Sequence, residues 1–171
     1  RASKQRLEAF IYEQKEWIIH QHNSLNEPFH KGTDFYYLAK RHTIHHHSNG
    51  MEICDEKVYL DPLKAKKQSD DFYKRCAREY LSPRMMHWRE RMGLEFSALR
   101  FRCEKRILGS CNSKGVITFN PYMMKLDYER IDYVIVHELA HLRHMNHSKE
   151  FYSLVKKYIP NYIVIEKKIK S

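Results

Sequence analysis

Apolar positions along the chain follow two periods, and the changes between them mark out the elements. Leu7, Phe10, Ile11, Trp17 and Ile18 recur at helical spacing behind Ser3, which predicts a capped helix to about His22. Residues 24–34 contain Asn26, Pro28 and Gly32 and read as a loop. Residues 35–47 and 51–60 predict two strands joined at Ser48-Asn49-Gly50, because Asn-Gly supplies the positive φ angles of a tight hairpin turn. Asp61-Pro62 predicts a helix start: a capping carboxylate, then proline where its missing N–H costs nothing. That helix is expected to reach about Tyr80, to break or kink at Pro83, to continue to Met92 and to stop at Gly93.

Residues 99–105 and 116–119 predict a second strand pair around the segment from Gly109 to Gly115. Asp127 caps a helix through Ile131, Val134, Ile135, Leu139 and Leu142. Ser148 caps another, which reaches about Tyr158 before Pro160 closes it. Helices interleaved with antiparallel hairpins make the expected fold class α+β. The expected organisation is an appendage of helix and hairpin over residues 1–60 and a main domain over residues 61–171.

Composition narrows this picture. An apolar fraction of 42% with 13% aromatics excludes disorder despite 30% charged residues, and 171 residues can bury a core. No run approaches the roughly 20 apolar residues that span a bilayer, and no apolar signal region follows the first residues. The expectation is a cytoplasmic protein without a membrane segment. Cys54, Cys76, Cys103 and Cys111 form no CxxC pair and read as reduced thiols; only Cys103 and Cys111 could bridge, if they face each other across a hairpin. The net charge of +10 favours an anionic partner, and thirteen Lys or Arg against six Asp or Glu lie between Lys64 and Arg106. The ordinary reading of such a stretch is a solvated basic face, and no RNP motif or zinc-finger spacing argues otherwise.

The chemistry concentrates in His137-Glu138-Leu139-Ala140-His141, set inside a helical apolar pattern. At about 100° per residue the two histidines stand one turn apart on one face, so both imidazoles can reach one ion. Glu138 is turned away by one residue, close enough to meet a water at the metal without binding the metal itself. This is the arrangement of zinc hydrolases with an HExxH motif. A third protein ligand is needed, with the fourth position left for water. His144 lies about 10.5 Å along a straight helix axis from His137, too far to join. His147 is better placed: Asn146 before it tolerates a left-handed turn, and Ser148 after it can cap the next helix. Glu150 and Glu166 are the alternatives for this third position. His42, His45, His46 and His47 cluster at the first hairpin, where exposed polar side chains are the ordinary reading. Tyr133 and Tyr152 can reach a developing oxyanion but read first as packed aromatics.

The run Val136-His137-Glu138-Leu139-Ala140-His141-Leu142, with Asn146-His147-Ser148 and Phe151-Tyr152, resembles the YgjP-like metallopeptidase-domain family, relatives of the SprT-like zincins. Upstream, residues 106–115 and then Phe119-Asn120 are similar to that family's R-x-W-G-S-C-x-x-x-G loop and following strand, with Leu108 where the family usually has Trp. The resemblance implies a zincin-like domain whose active-site helix packs on a small antiparallel sheet, with additional helices. It implies His137 and His141 as zinc ligands, His147 as the third, and Glu138 as the catalytic base. Metzincins share the ligand spacing but have Gly where this chain has His144. Family members are catalogued as zinc-dependent peptidases and some as UTP pyrophosphatases, so the implied substrate is a peptide or a nucleotide.

A metallopeptidase is the leading expectation, because the motif most often serves amide hydrolysis. A nucleotide pyrophosphatase is the rival, in which Arg100, Arg102, Lys105, Arg106 and Lys114 would hold phosphates beside the metal. A nucleic-acid-associated protein with structural zinc is the third, although such a site normally closes with four protein ligands.

Overall fold

A computed structural model of the protein describes residues 34–46, 50–105 and 107–170. The expected helix over residues 3–22, the Ser48-Asn49 turn and Arg106 lie outside the described residues.

The described part of the strand expected over residues 35–47 does not run as one strand. Leu38 and Ala39 take positive φ (48° and 59°) and fold the segment into a hairpin of β1 (Asp34–Tyr37) and β2 (Lys40–His46), with Phe35 opposite His42. Such a turn ordinarily calls for Asn or Gly, so this one was not legible locally. A tertiary contact compensates: the N–H groups of Leu38 and Ala39 donate to Met124 O and Lys125 O at 2.8 and 3.0 Å. Residues 51–60 likewise divide at Asp55 (φ 54°) into β3 (Glu52–Cys54) and β4 (Lys57–Leu60). The sheet order is β1-β2-β4-β3, with β2 parallel to β4. The two predicted strands therefore do not form an antiparallel hairpin through Asn-Gly.

Helix α1 (Ala65–Met92) is unbroken for 28 residues, with Pro83 inside it. It begins a turn later than Asp61-Pro62 suggested; the Asp61 carboxylate instead accepts from the Leu63 N–H at 2.9 Å. Pro83 is on the exposed side, while Leu81 and Met85 beside it are fully buried. Burying those two side chains contributes about 1.5–3 kcal/mol each, enough to offset a proline cost of roughly 3 kcal/mol. Gly93, at φ 60°, ends the helix in the left-handed conformation that favours glycine.

The second sheet consists of β5 (Ala98–Phe101), β6 (Gly109–Cys111) and β7 (Val116–Phe119), in the order β5-β7-β6. It is mixed where a purely antiparallel sheet was expected: β5 runs parallel to β7, and β6 antiparallel. Strand β5 is shorter than predicted and stops at Phe101. The Asn120 side-chain amide then pins the connection that follows, donating to Glu104 O and Ile107 O at 2.7 and 2.8 Å. The register aligns Arg100, Thr118 and Ser110 on one face, and Phe101, Phe119 and Gly109 on the other.

A short 3-10 helix (Pro121–Lys125) leads into α2 (Tyr128–Ala140), α3 (Lys149–Tyr158) and α4 (Tyr162–Lys170). Asp127 caps α2 and Ser148 caps α3, as their side chains predict. Helix α2 lies against α1, α3, α4 and β6, which makes it the central element. One core joins Tyr73 and Leu81 of α1, Ile117 and Phe119 of β7, Ile131 and Leu139 of α2 and Phe151 of α3, and Phe35, Val58 and Leu60 of the first sheet belong to it too. The class is α+β. All four cysteines are free, so Cys103 and Cys111 are not bridged. Among the described residues no helix is long and apolar enough to cross a membrane.

Candidate metal centre

Helix α2 is buried almost all round from Tyr133 to Ala140, because its neighbours cover every face. A polar side chain in that stretch is therefore withdrawn from water, and His137 and Glu138 are exposed by only 3% and 2%. Asp132 anchors the helix beneath them. Its carboxylate accepts both Nε and Nη2 of Arg84 and, at 2.9 Å, the Trp88 indole N–H, tying α2 to α1.

The helix ends at Ala140, two residues short of Leu142, so His144 is not on its face. His141 caps the helix in αR conformation, and the chain turns back without any left-handed residue at Asn146. The turn is held by the His141 imidazole, whose Nδ1 meets His144 O at 3.0 Å. Since a carbonyl only accepts, Nδ1 carries the proton and Nε2 is left as a lone-pair donor. His144 thus acts through its backbone, orienting a neighbouring imidazole. The Ser148 hydroxyl accepts from the Phe151 N–H at 3.4 Å, and this cap sets the direction of His147.

The outcome is convergence of His137, His141 and His147. One nitrogen from each lies within 4.8 Å of the other two, and Nε2 of His137 and Nε2 of His147 are 3.0 Å apart. Ligands of one tetrahedral zinc at 2.0–2.1 Å stand about 3.3 Å apart, so the set fits a metal with little movement. The Phe151 ring packs beneath all three imidazoles, with centroid distances of 4.9, 4.6 and 4.8 Å. Tyr152 stacks on His147 at 5.9 Å, and the buried Tyr133 hydroxyl lies 3.4 Å from His137 Nδ1.

Electrostatics favour the same use. Burial, then the neighbouring imidazoles, hold His137 well below the ordinary histidine value, and burial and His141 hold His147 down to about 4. Burial also lowers His141, partly opposed by its bond to His144 O. All three are kept neutral near pH 7, the form that binds a metal. Burial alone pushes the Glu138 carboxyl up to about 8, into the range of a proton acceptor and donor near neutrality.

Glu150 and Glu166 take no part in the group. Glu150 is held by the Ser148 hydroxyl, and Glu166 pairs with Lys170 at 2.9 Å. The set holds three His, and no fourth His, Cys, Asp or Glu among the described residues joins it. Arg100 and Arg102 fall elsewhere. Gly109 approaches Glu138, so strand alternation places Ser110, Thr118 and Arg100 on the sheet face turned away from it. Arg100 and Arg102 line a cleft on that outer face, and Lys105 is exposed. Two features were not read in the sequence. Gly109 makes room for Glu138, and Lys170, at the end of α4, lies close enough to bear on His137 and His147. His42, expected to be exposed, is buried opposite Phe35. Leu108 is buried to 1% exposure and fills space in the core.

Three converging imidazoles, His137 buried and His141 and His147 half-buried, beside the Glu138 carboxyl in an α+β domain fit a metal-dependent hydrolase of the metallopeptidase type. The chain belongs to the YgjP-like family, metallopeptidase domain, whose family model matches residues 1–171. Among solved structures it is similar to the metallopeptidase zymogen of Pyrococcus abyssi abylysin, at 30% identity over 52% of this chain and 90% of that one, with a TM-score of 0.48. It is also similar to the metallopeptidase zymogen of Methanocaldococcus jannaschii jannalysin, at 22% identity over 52% of this chain and 91% of that one, with a TM-score of 0.47. No curated protein matches it.

Proposed function

We propose that the protein is a zinc-dependent peptidase in which His137, His141 and His147 hold the metal and Glu138 is the general base. The observation that carries this reading is the burial of the Glu138 carboxyl beside three neutral, converging imidazoles. Zinc held there would lower the pKa of a water to about 7 and would polarise the scissile group.

The chain's own residues supply the rest. Glu138 takes a proton from the attacking water and delivers it to the departing amide nitrogen. The carbonyl of His144 holds His141 in the tautomer that presents Nε2, and Phe151 keeps bulk water from beneath the imidazoles.

The peptide reading is supported by strand β6. It is an edge of its sheet, with only β7 paired to it among the described residues, and its first residue adjoins Glu138. An extended peptide can add to such an edge through main-chain hydrogen bonds and lie along the catalytic residues. The outward placement of Arg100 and Arg102 leaves those two out of any phosphate grip beside Glu138.

The experiment is a side-by-side assay of the zinc-loaded protein on a peptide library and on UTP. Peptide cleavage that a chelator abolishes and zinc restores is the expected result. UTP hydrolysis without peptide cleavage would overturn the peptide assignment.

A further inference from the structure

We propose that the outer face of the β5-β7-β6 sheet carries a second site, separate from the metal centre, that binds the phosphate groups of a small ligand. It is a cleft of about 520 Å³, in which Arg78, Arg100, Arg102, Ser110 and Thr118 supply the polar donors. The inference stands independently of the peptidase reading.

Three arginines line the cleft against one acidic residue, Glu104. Most arginines of α1 already have partners. Arg84 is held by Asp132 and Arg89 by Glu95, while Arg75 and Arg91 lie over the rings of Phe72 and Trp88. Arg78 and Arg100 have no ion pair among the described residues. Arg102 pairs with Glu104 at 2.9 Å, but its side chain is 78% exposed, and a pair that open to water is readily exchanged.

The register explains why these groups meet. Arg100, Thr118 and Ser110 are direct neighbours across the three strands, so one guanidinium and two hydroxyls form a row on a rigid sheet. Arg78 joins from α1, and Arg102 from just beyond β5. Planar guanidinium forks and hydroxyls match the several oxygens and the double charge of a phosphate group better than they match a single carboxylate. The volume admits more than one phosphate group.

The site also has a physical link to the metal centre. Ser110 lies on the outer face of β6, while Gly109, beside it in the same strand, contacts Glu138 on the inner face. A ligand held at Ser110 would therefore stiffen the strand that borders the catalytic residues.

The test is calorimetric titration of inorganic pyrophosphate, and separately of a nucleoside triphosphate, into chelator-treated protein. Both are expected to bind, with affinity that falls as salt rises. Pyrophosphate as tight as the nucleotide would mean that the phosphates alone are recognised; tighter nucleotide binding would mean that the base or sugar is also held. R100A is expected to weaken binding about ten-fold or more, R100K to restore part of it, and T118V to weaken it with the fold intact by circular dichroism. Glu138→Gln and His137→Ala are expected to bind as the parent does. The proposal is overturned if neither ligand binds, if R100A binds as tightly as the parent, or if binding disappears only in His137→Ala.

Discussion

Gly109 lies so close to Glu138 that a Cβ built on it would stand 2.8 Å from the Glu138 Cγ and 3.0 Å from its Oε1. Residue 109 therefore bears directly on where the carboxylate can sit. Glu138 is buried and cannot swing into solvent, so Gly109→Ala must shift either the strand or the carboxylate. The expected result is retained metal content, a kcat at least about ten-fold lower, and about 1–3 kcal/mol lost from stability by overpacking. Unchanged kcat in Gly109→Ala would show that Glu138 has freedom its surroundings do not suggest.

His147→Ala removes the third of the proposed ligands, the one brought in by the cap of α3. Zinc affinity is expected to fall by orders of magnitude, read by metal analysis after dialysis against a weak chelator. Full retention of zinc would mean that another group completes the site.

Glu138→Gln fills the same space without a basic carboxylate. It is expected to keep the zinc and to lose nearly all hydrolysis of any substrate the parent cleaves. Turnover at the parental rate would remove Glu138 from the mechanism.

The metal-free protein should also report Glu138 through its stability. A carboxyl at about 8 in the folded state and 4.5 in the unfolded state keeps its proton longer when folded, so its contribution is present below pH 4.5 and lost as pH rises through about 8. His137 and His147 work in the opposite sense. Their lowered values make stability fall as pH drops below about 6.5. Chelator-treated protein is therefore expected to lose stability in urea melts from pH 6.5 to 8, and Glu138→Gln to flatten that decline. An identical slope in the two proteins would count against a neutral buried carboxyl.

Asp132 joins α1 to the helix that carries His137 and Glu138, and its removal leaves Arg84 and the Trp88 N–H without their shared acceptor. Asp132→Ala is expected to cost about 2 kcal/mol, a fall in Tm of roughly 4–8 °C, with zinc still bound at low temperature. A melting temperature equal to the parent's would show that packing alone holds the two helices together.

What was legible in the sequence is whatever depends on neighbours a few residues apart. The helical spacing of His137 and His141, the caps at Asp127 and Ser148 and the glycine stop at Gly93 are local devices, and each is found where its chemistry predicts. What tertiary structure decided is whatever depends on distant partners. The Leu38-Ala39 turn exists because Met124 and Lys125 accept its N–H groups, and Pro83 stays in a helix because Leu81 and Met85 are buried beside it. Parallel pairing of β5 with β7 left no mark in either strand's own pattern, yet it puts Arg100 on the face away from Glu138. The same dependence on packing lifts the Glu138 carboxyl to about 8, since burial by α1, α3, α4 and β6 is a property of no single segment.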